Sequence, residues 1–280
     1  MNKNYIILII FGVTLLGYAC NNSPIDKQNT FKAMQENLSK KNLKEETTTF
    51  NVNGKEHSAY YVYSANDTGK RPGILVFPEW WGLNDYARDR AKMLATLGYA
   101  AMAVDVYGHN ASASTPEEAT ALLQPFAQHP DLSKTVADAA LQKLTSFGQV
   151  DPQNLGMIGY CFGGYVAINA GILGADVKGV VTFHPSLGGA KPVDSVKAKF
   201  LICHGADDEF ENKNVDSFKK TLNDAHIDFD FKTYADSKHA FTSPKATEIG
   251  QKFNIPTAYN EKADAQSWKD MKEFFKKIFD

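Results

Sequence analysis

Short apolar runs alternate with stretches of helical spacing along most of this chain, and that alternation restricts its fold more than any other feature. Residues 73–77 (GILVF), 99–108 (YAAMAVDVYG), 155–159 (LGMIG), 177–185 (VKGVVTFHP) and 199–205 (KFLICHG) read as strands, and residues 227–234 (IDFDFKTY) alternate as another. Between them the spacing predicts a helix over 86–97 closed by Gly98, one or two helices over 115–148, and further helices over 162–172 and 215–225. Ser114-Thr115-Pro116-Glu117-Glu118 carries the start signals of a helix: a hydroxyl that can cap, then a proline, then acidic residues. An amphipathic helix over 263–279 closes the chain, and residues 47–63 alternate around Asn53-Gly54, which predicts a hairpin. Apolar strands need cover on both faces, so the expected architecture is α/β, a mostly parallel central sheet with helices on both sides. Right-handed crossovers then bring the strand C-termini to one edge, where sites form in such sheets.

At 280 residues and 43% hydrophobic content, the chain is long enough for one large domain. Thirty basic against thirty-two acidic residues give a net charge of -2, a balance that offers no field for nucleic acid and points to a small-molecule substrate. The N-terminus has Lys3, an apolar stretch from Tyr5 to Leu16, and Leu16-Gly17-Tyr18-Ala19-Cys20. It reads as a targeting segment, too short to span a bilayer. It resembles a bacterial lipoprotein signal, with Tyr18 bulkier than that pattern usually carries. The implied organisation is a signal peptide over 1–19, a polar tether over 20–46 beginning at a lipidated Cys20, and a globular α/β domain over 47–280, expected to be a monomeric unit held at the bacterial cell envelope. Cys161 and Cys203 then remain as the thiols of the domain, and a disulfide between them is one option in an oxidising compartment.

The residues just beyond each strand are more informative. After 155–159 comes Tyr160-Cys161-Phe162-Gly163-Gly164 and then a helix, with Gly159 and Gly163 flanking Cys161 as a sharp strand-to-helix elbow requires. A helix N-terminus beneath the sulfur favours the thiolate. After 199–205 come Asp207 and Asp208, either of which can supply an acid, and after 227–234 comes a loop with His239. The chain order is nucleophile, acid, histidine.

These segments resemble the dienelactone hydrolase family from about Thr48 to the C-terminus. The resemblance rests on Gly159-Tyr160-Cys161-Phe162-Gly163-Gly164, Gly205-Ala206-Asp207-Asp208, His239-Ala240-Phe241, Pro78-Glu79-Trp80-Trp81-Gly82 and Asp105-Val106-Tyr107-Gly108. It implies an α/β-hydrolase fold and hydrolysis of a carboxylic ester or lactone through a covalent acyl-cysteine, with no metal or organic cofactor. By position, Cys161 is the nucleophile, His239 the base and Asp208 the orienting acid, with Asp207 the alternative. Glu79 matches a glutamate that bonds and activates the resting cysteine, and the backbone N–H groups of Trp80 and Phe162 match the oxyanion hole. Trp81, Tyr107, His109 and His184 are expected in the substrate pocket. His109 and Ser243 stand where characterised relatives carry arginines for a substrate carboxylate, which leaves the acyl substrate open. Acyl transfer, thioester cleavage and a non-catalytic ligand-binding role on the same fold are the competing readings.

Overall fold

A computed structural model describes residues 42–66 and 68–280; the signal segment, Cys20 and nearly all of the tether lie outside the described residues. Eight strands form one sheet: β1 (Leu43–Val52), β2 (Lys55–Ser64), β3 (Arg71–Phe77), β4 (Ala100–Val104), β5 (Val150–Tyr160), β6 (Gly179–Phe183), β7 (Lys199–Gly205) and β8 (Phe229–Tyr234). Their order is β1-β2-β4-β3-β5-β6-β7-β8. The β1–β2 hairpin turns through Asn53 and Gly54, both at positive φ (51° and 86°), the backbone that a two-residue hairpin loop demands. β2 meets β4 antiparallel, and from β4 through to β8 every pairing is parallel. β1 begins at Leu43, inside the stretch expected to be tether, because its polar residues pair along the edge of the apolar β2.

Alternate residues of the inner strands point to opposite layers, which is why these strands are apolar throughout. In β3, Leu75 and Phe77 join one buried cluster, while Ile74 and Val76 join the other. The first layer is covered by α2 (Pro116–Gln128), α3 (Asp131–Thr145), α4 (Phe162–Ile172) and α5 (Val215–Asp224). The second is covered by α1 (Asp85–Thr96) and α7 (Glu261–Phe279). Each large side chain fully buried in these layers contributes roughly 1.5–3 kcal/mol relative to exposure, so the sheet is a rigid platform for its C-terminal edge.

The stretch 115–148 holds two helices, divided at His129-Pro130, and the Thr115 hydroxyl accepts the Glu118 N–H at 3.3 Å. The strand expected over 99–108 stops at Val104. Immediately afterwards the Asp105 carboxylate accepts N–H groups of Tyr107, Gly108 and Asn110 at 2.9–3.1 Å, which folds the chain into a turn. One helix lies outside the sequence expectations: α6 (Ala246–Phe253), which sits over the strand ends. Among the described residues no helix is long and apolar enough to cross a membrane.

Candidate active site

β5 ends at Tyr160 and α4 begins at Phe162, so Cys161 alone makes the turn. Its φ of 51° with ψ of -116° is a conformation that a side chain disfavours. Hydrogen bonds hold it there: the Cys161 N–H donates to Phe183 O at 3.1 Å, and its carbonyl accepts from Gly164, Tyr165 and Ser186. The flanking glycines are sterically required. A Cβ on Gly159 would lie 2.1 Å from the Gly163 carbonyl oxygen, and one on Gly163 would lie 2.3 Å from that of Phe77. The sulfur is thereby lifted above the sheet edge at the N-terminus of α4, and the residue stays partly accessible. Cys203 lies inside β7 without exposure, and both thiols are free, so no disulfide joins them.

Asp208 follows β7 and His239 follows β8, in adjacent loops. The Asp208 Oδ2 and His239 Nδ1 atoms are 2.8 Å apart. An ionised carboxylate can only accept, so Nδ1–H donates and Nε2 is left for the cysteine side. The second oxygen, Oδ1, accepts from the Phe210 and Glu211 N–H groups at 3.1 and 3.2 Å, which fixes the carboxylate in a buried turn. Asp207 points to solvent and makes no such contact; its backbone N–H donates to Ser237 O. Burial would push the His239 imidazole down, but the negative charge at Cys161 and hydrogen bonds with Asp208 and Cys161 together hold it well above the usual histidine value.

Glu79 follows β3 and is buried. Burial raises its carboxyl to about 7, against the opposing pull of positive charge at His239 and Arg90. Trp80 and Trp81 come next, their rings edge to face with centroids 5.0 Å apart. The Phe162 N–H belongs to the first turn of α4, where N–H groups have no intrahelical acceptor. A cavity of about 170 Å³ opens in front of Cys161 and is lined by Glu79, Trp80, Trp81, Phe162, His239 and Ser243 together with α6 residues. The structure thus gathers Cys161, His239, Glu79, Trp80, Trp81 and Phe162 at one cavity, with Asp208 directly behind His239.

Three expected pocket residues do not line it. The Tyr107 hydroxyl donates to Trp80 O at 3.0 Å and its ring stacks on Phe162 at 5.5 Å, so it braces from behind two of the residues that line the cavity. His109 is exposed, in a left-handed turn (φ 55°), with its N–H donated to Glu56 O. His184 is fully buried behind His239, ring centroids 5.4 Å apart, with Nε2 2.7 Å from the Thr242 hydroxyl. Burial, followed by the charge of His239, holds it well below the usual histidine value, so it stays neutral.

Two structural contributors to the site escape a sequence reading. The buried Arg90 of α1 donates to Thr242 O at 2.8 Å and to Asp264 Oδ1 of α7 at 2.6 Å. The rings of Tyr86, Tyr160 and Trp268 surround the guanidinium at 5.1–5.6 Å. This anchor fixes the loop that carries His239. The other is α6, whose Ala246 and Ile249 form a cavity wall. A signal for it exists, since Ala246, Ile249, Gly250 and Phe253 are spaced i, i+3, i+4, i+7. Among the described residues, no group of His, Cys, Asp and Glu side chains is arranged to hold a metal ion.

Residues 57–279 match the dienelactone hydrolase family, and the chain belongs to it. A carboxymethylenebutenolidase of Rhodococcus opacus is 25% identical over 235 residues, 78% of this chain and 85% of the relative. A putative carboxymethylenebutenolidase of Methylorubrum extorquens is 26% identical over 221 residues, 74% of this chain and 72% of the relative. Among solved structures, a dienelactone hydrolase-like promiscuous phosphotriesterase from metagenomic libraries superposes with a TM-score of 0.78 at 29% identity, covering 84% of this chain and 98% of that one.

Proposed function

We propose that this member of the dienelactone hydrolase family cleaves carboxylic esters or lactones with Cys161 as nucleophile, His239 as acid and base, and Asp208 as the group that orients and charges the imidazole. The observation that carries the reading is the 2.8 Å contact between Asp208 and His239 beside a cysteine held at φ 51° on a strand-to-helix elbow. The Cys161 thiolate attacks the carbonyl carbon, and the oxyanion that forms is stabilised by the N–H groups of Trp80 and Phe162. The imidazolium gives its Nε2 proton to the departing oxygen as the C–O bond breaks, which leaves an acyl thioester. Water then attacks that thioester with His239 taking its proton, and the C–S bond breaks to free the acid and the thiolate. Glu79 adds a carboxyl whose charge state changes near neutral pH within the same cavity.

The test is turnover of activated esters and lactones by the purified protein. Cys161→Ala and His239→Ala should each remove it, whereas hydrolysis unchanged in Cys161→Ala would dispose of the reading. Products formed with a competing alcohol separate hydrolysis from acyl transfer, and acid as the sole product supports hydrolysis. At the other end of the chain, Lys3, the apolar stretch and Cys20 support export and lipid anchoring at the cell envelope. Labelled palmitate should be incorporated by cells making the wild type and not by cells making Cys20→Ala.

A further inference from the structure

The cavity in front of Cys161 has a charge and a size that together restrict its occupant. Its walls are apolar, chiefly Trp81, Leu123, Phe162, Phe210, Ile249 and Ile255. The ionisable groups on its lining are Cys161, His239 and two carboxyls, Glu79 and Glu211; among the described residues no lysine or arginine lines it. Glu211 is buried and held in place, its Oε2 accepting from the Leu187 N–H and the Asn214 amide, both at 2.9 Å. The guanidinium of Arg90 is engaged behind the site by Asp264 and Thr242. Lys245 and Lys252 border a separate groove on the far side of Trp81 and Ile249. A carboxylate entering the cavity would lose its hydration, gain no cation beyond the catalytic imidazole, and meet two carboxyls.

The volume of about 170 Å³ sets the size. An apolar cavity of roughly 150 Å³ admits a benzene molecule. From these observations, and resting on the hydrolase reading above, we propose that the cavity is an acyl pocket for an uncharged apolar chain of about the bulk of butanoyl to hexanoyl, and that it rejects acyl groups carrying a carboxylate. Within that range each added methylene should raise kcat/KM roughly fourfold, the worth of one buried CH₂.

The experiment compares p-nitrophenyl acetate, butanoate, hexanoate and decanoate with the p-nitrophenyl monoester of glutaric acid, using the full chain. Expected is a rise to hexanoate, a fall by decanoate, and a glutarate monoester at least tenfold poorer than hexanoate. Ile249→Arg, at a half-buried wall position, should raise the glutarate-to-hexanoate ratio at least tenfold, and Glu211→Gln should raise it severalfold. A flat chain-length profile, a glutarate monoester as good as hexanoate, or a ratio unmoved in both variants overturns the proposal while leaving the hydrolase reading intact. No turnover of any ester, or turnover that survives Cys161→Ala, overturns the hydrolase reading itself and this proposal with it.

Discussion

The end of β5 and the body of β7 each present a cysteine from the same sheet, with only β6 between them, yet the two thiols have nothing else in common. Cys203 sits in regular strand geometry without exposure; burial raises its thiol to about 12, and its sulfur lies 3.4 Å from the Tyr234 hydroxyl, which donates to Asp270 Oδ2 at 2.7 Å. Cys161 is one residue beyond its strand, in a backbone conformation that glycines on both sides make sterically accessible, at the start of a helix and against an imidazole. Backbone placement, rather than the thiol itself, separates an inert apolar side chain from the nucleophile proposed above.

The largest effect that can break this comparison is on turnover. Cys161→Ala should lower kcat by on the order of 10⁴-fold or more, whereas Cys203→Ala should stay within about twofold in kcat/KM and lose only about 1 kcal/mol of stability; the reverse pattern in ester kinetics would break it outright. The next effect concerns the imidazole that only Cys161 faces, the proposed base. Asp208→Asn should cost about 10³-fold in kcat, because Nδ1 no longer has an ionised partner to fix its tautomer, while the exposed Asp207→Asn should be near neutral in the same assay.

Glu79 sharpens the contrast through pH. Its carboxyl is raised from 4.5 to about 7 in the folded protein, so between those values the folded state binds more protons than the unfolded state. Its contribution to stability is therefore fully present below about 4.5 and is lost as pH rises through about 7. Glu79→Gln should gain stability relative to wild type by up to about 3 kcal/mol between pH 4.5 and 8, measured by denaturant unfolding at several pH values. A difference independent of pH would mean that the carboxyl is not desolvated as described. The smallest effect is in labelling. Iodoacetamide at pH 7.5 should modify the Cys161 peptide at least tenfold faster than the Cys203 peptide in the native protein, and the two should converge in denaturant.

Much of the site is legible in the sequence because its signals are local. Glycines at 159 and 163 around Cys161, and acidic and histidine residues just beyond later strands, declare a chain order that needs only the α/β alternation to bring them to one edge. Position already favours Asp208 over Asp207, and in the structure Asp208 is the one that contacts His239, its Oδ1 taking two backbone N–H groups. Tyr107 follows a strand end and so reads as pocket lining, but the Asp105 turn directs it behind Trp80. Arg90 reads as one more charged residue on an amphipathic helix; its partner Asp264 is 174 positions away, and nothing local marks the pair. α6 shows helical spacing over only eight residues, too short a span to stand out beside the neighbouring loops.

The Arg90 anchor also bears on what activity reports. The elbow of Cys161 is assembled from neighbours in sequence, β5 and α4. The loop of His239 is held in addition through Arg90 by α7, a helix distant in sequence that presents Asp264 to α1. A chain in which α7 has come loose would thus keep its elbow while losing one of the contacts that hold the His239 loop. Ester cleavage by this protein should therefore report on the docking of α7 as well as on the sheet that carries the elbow.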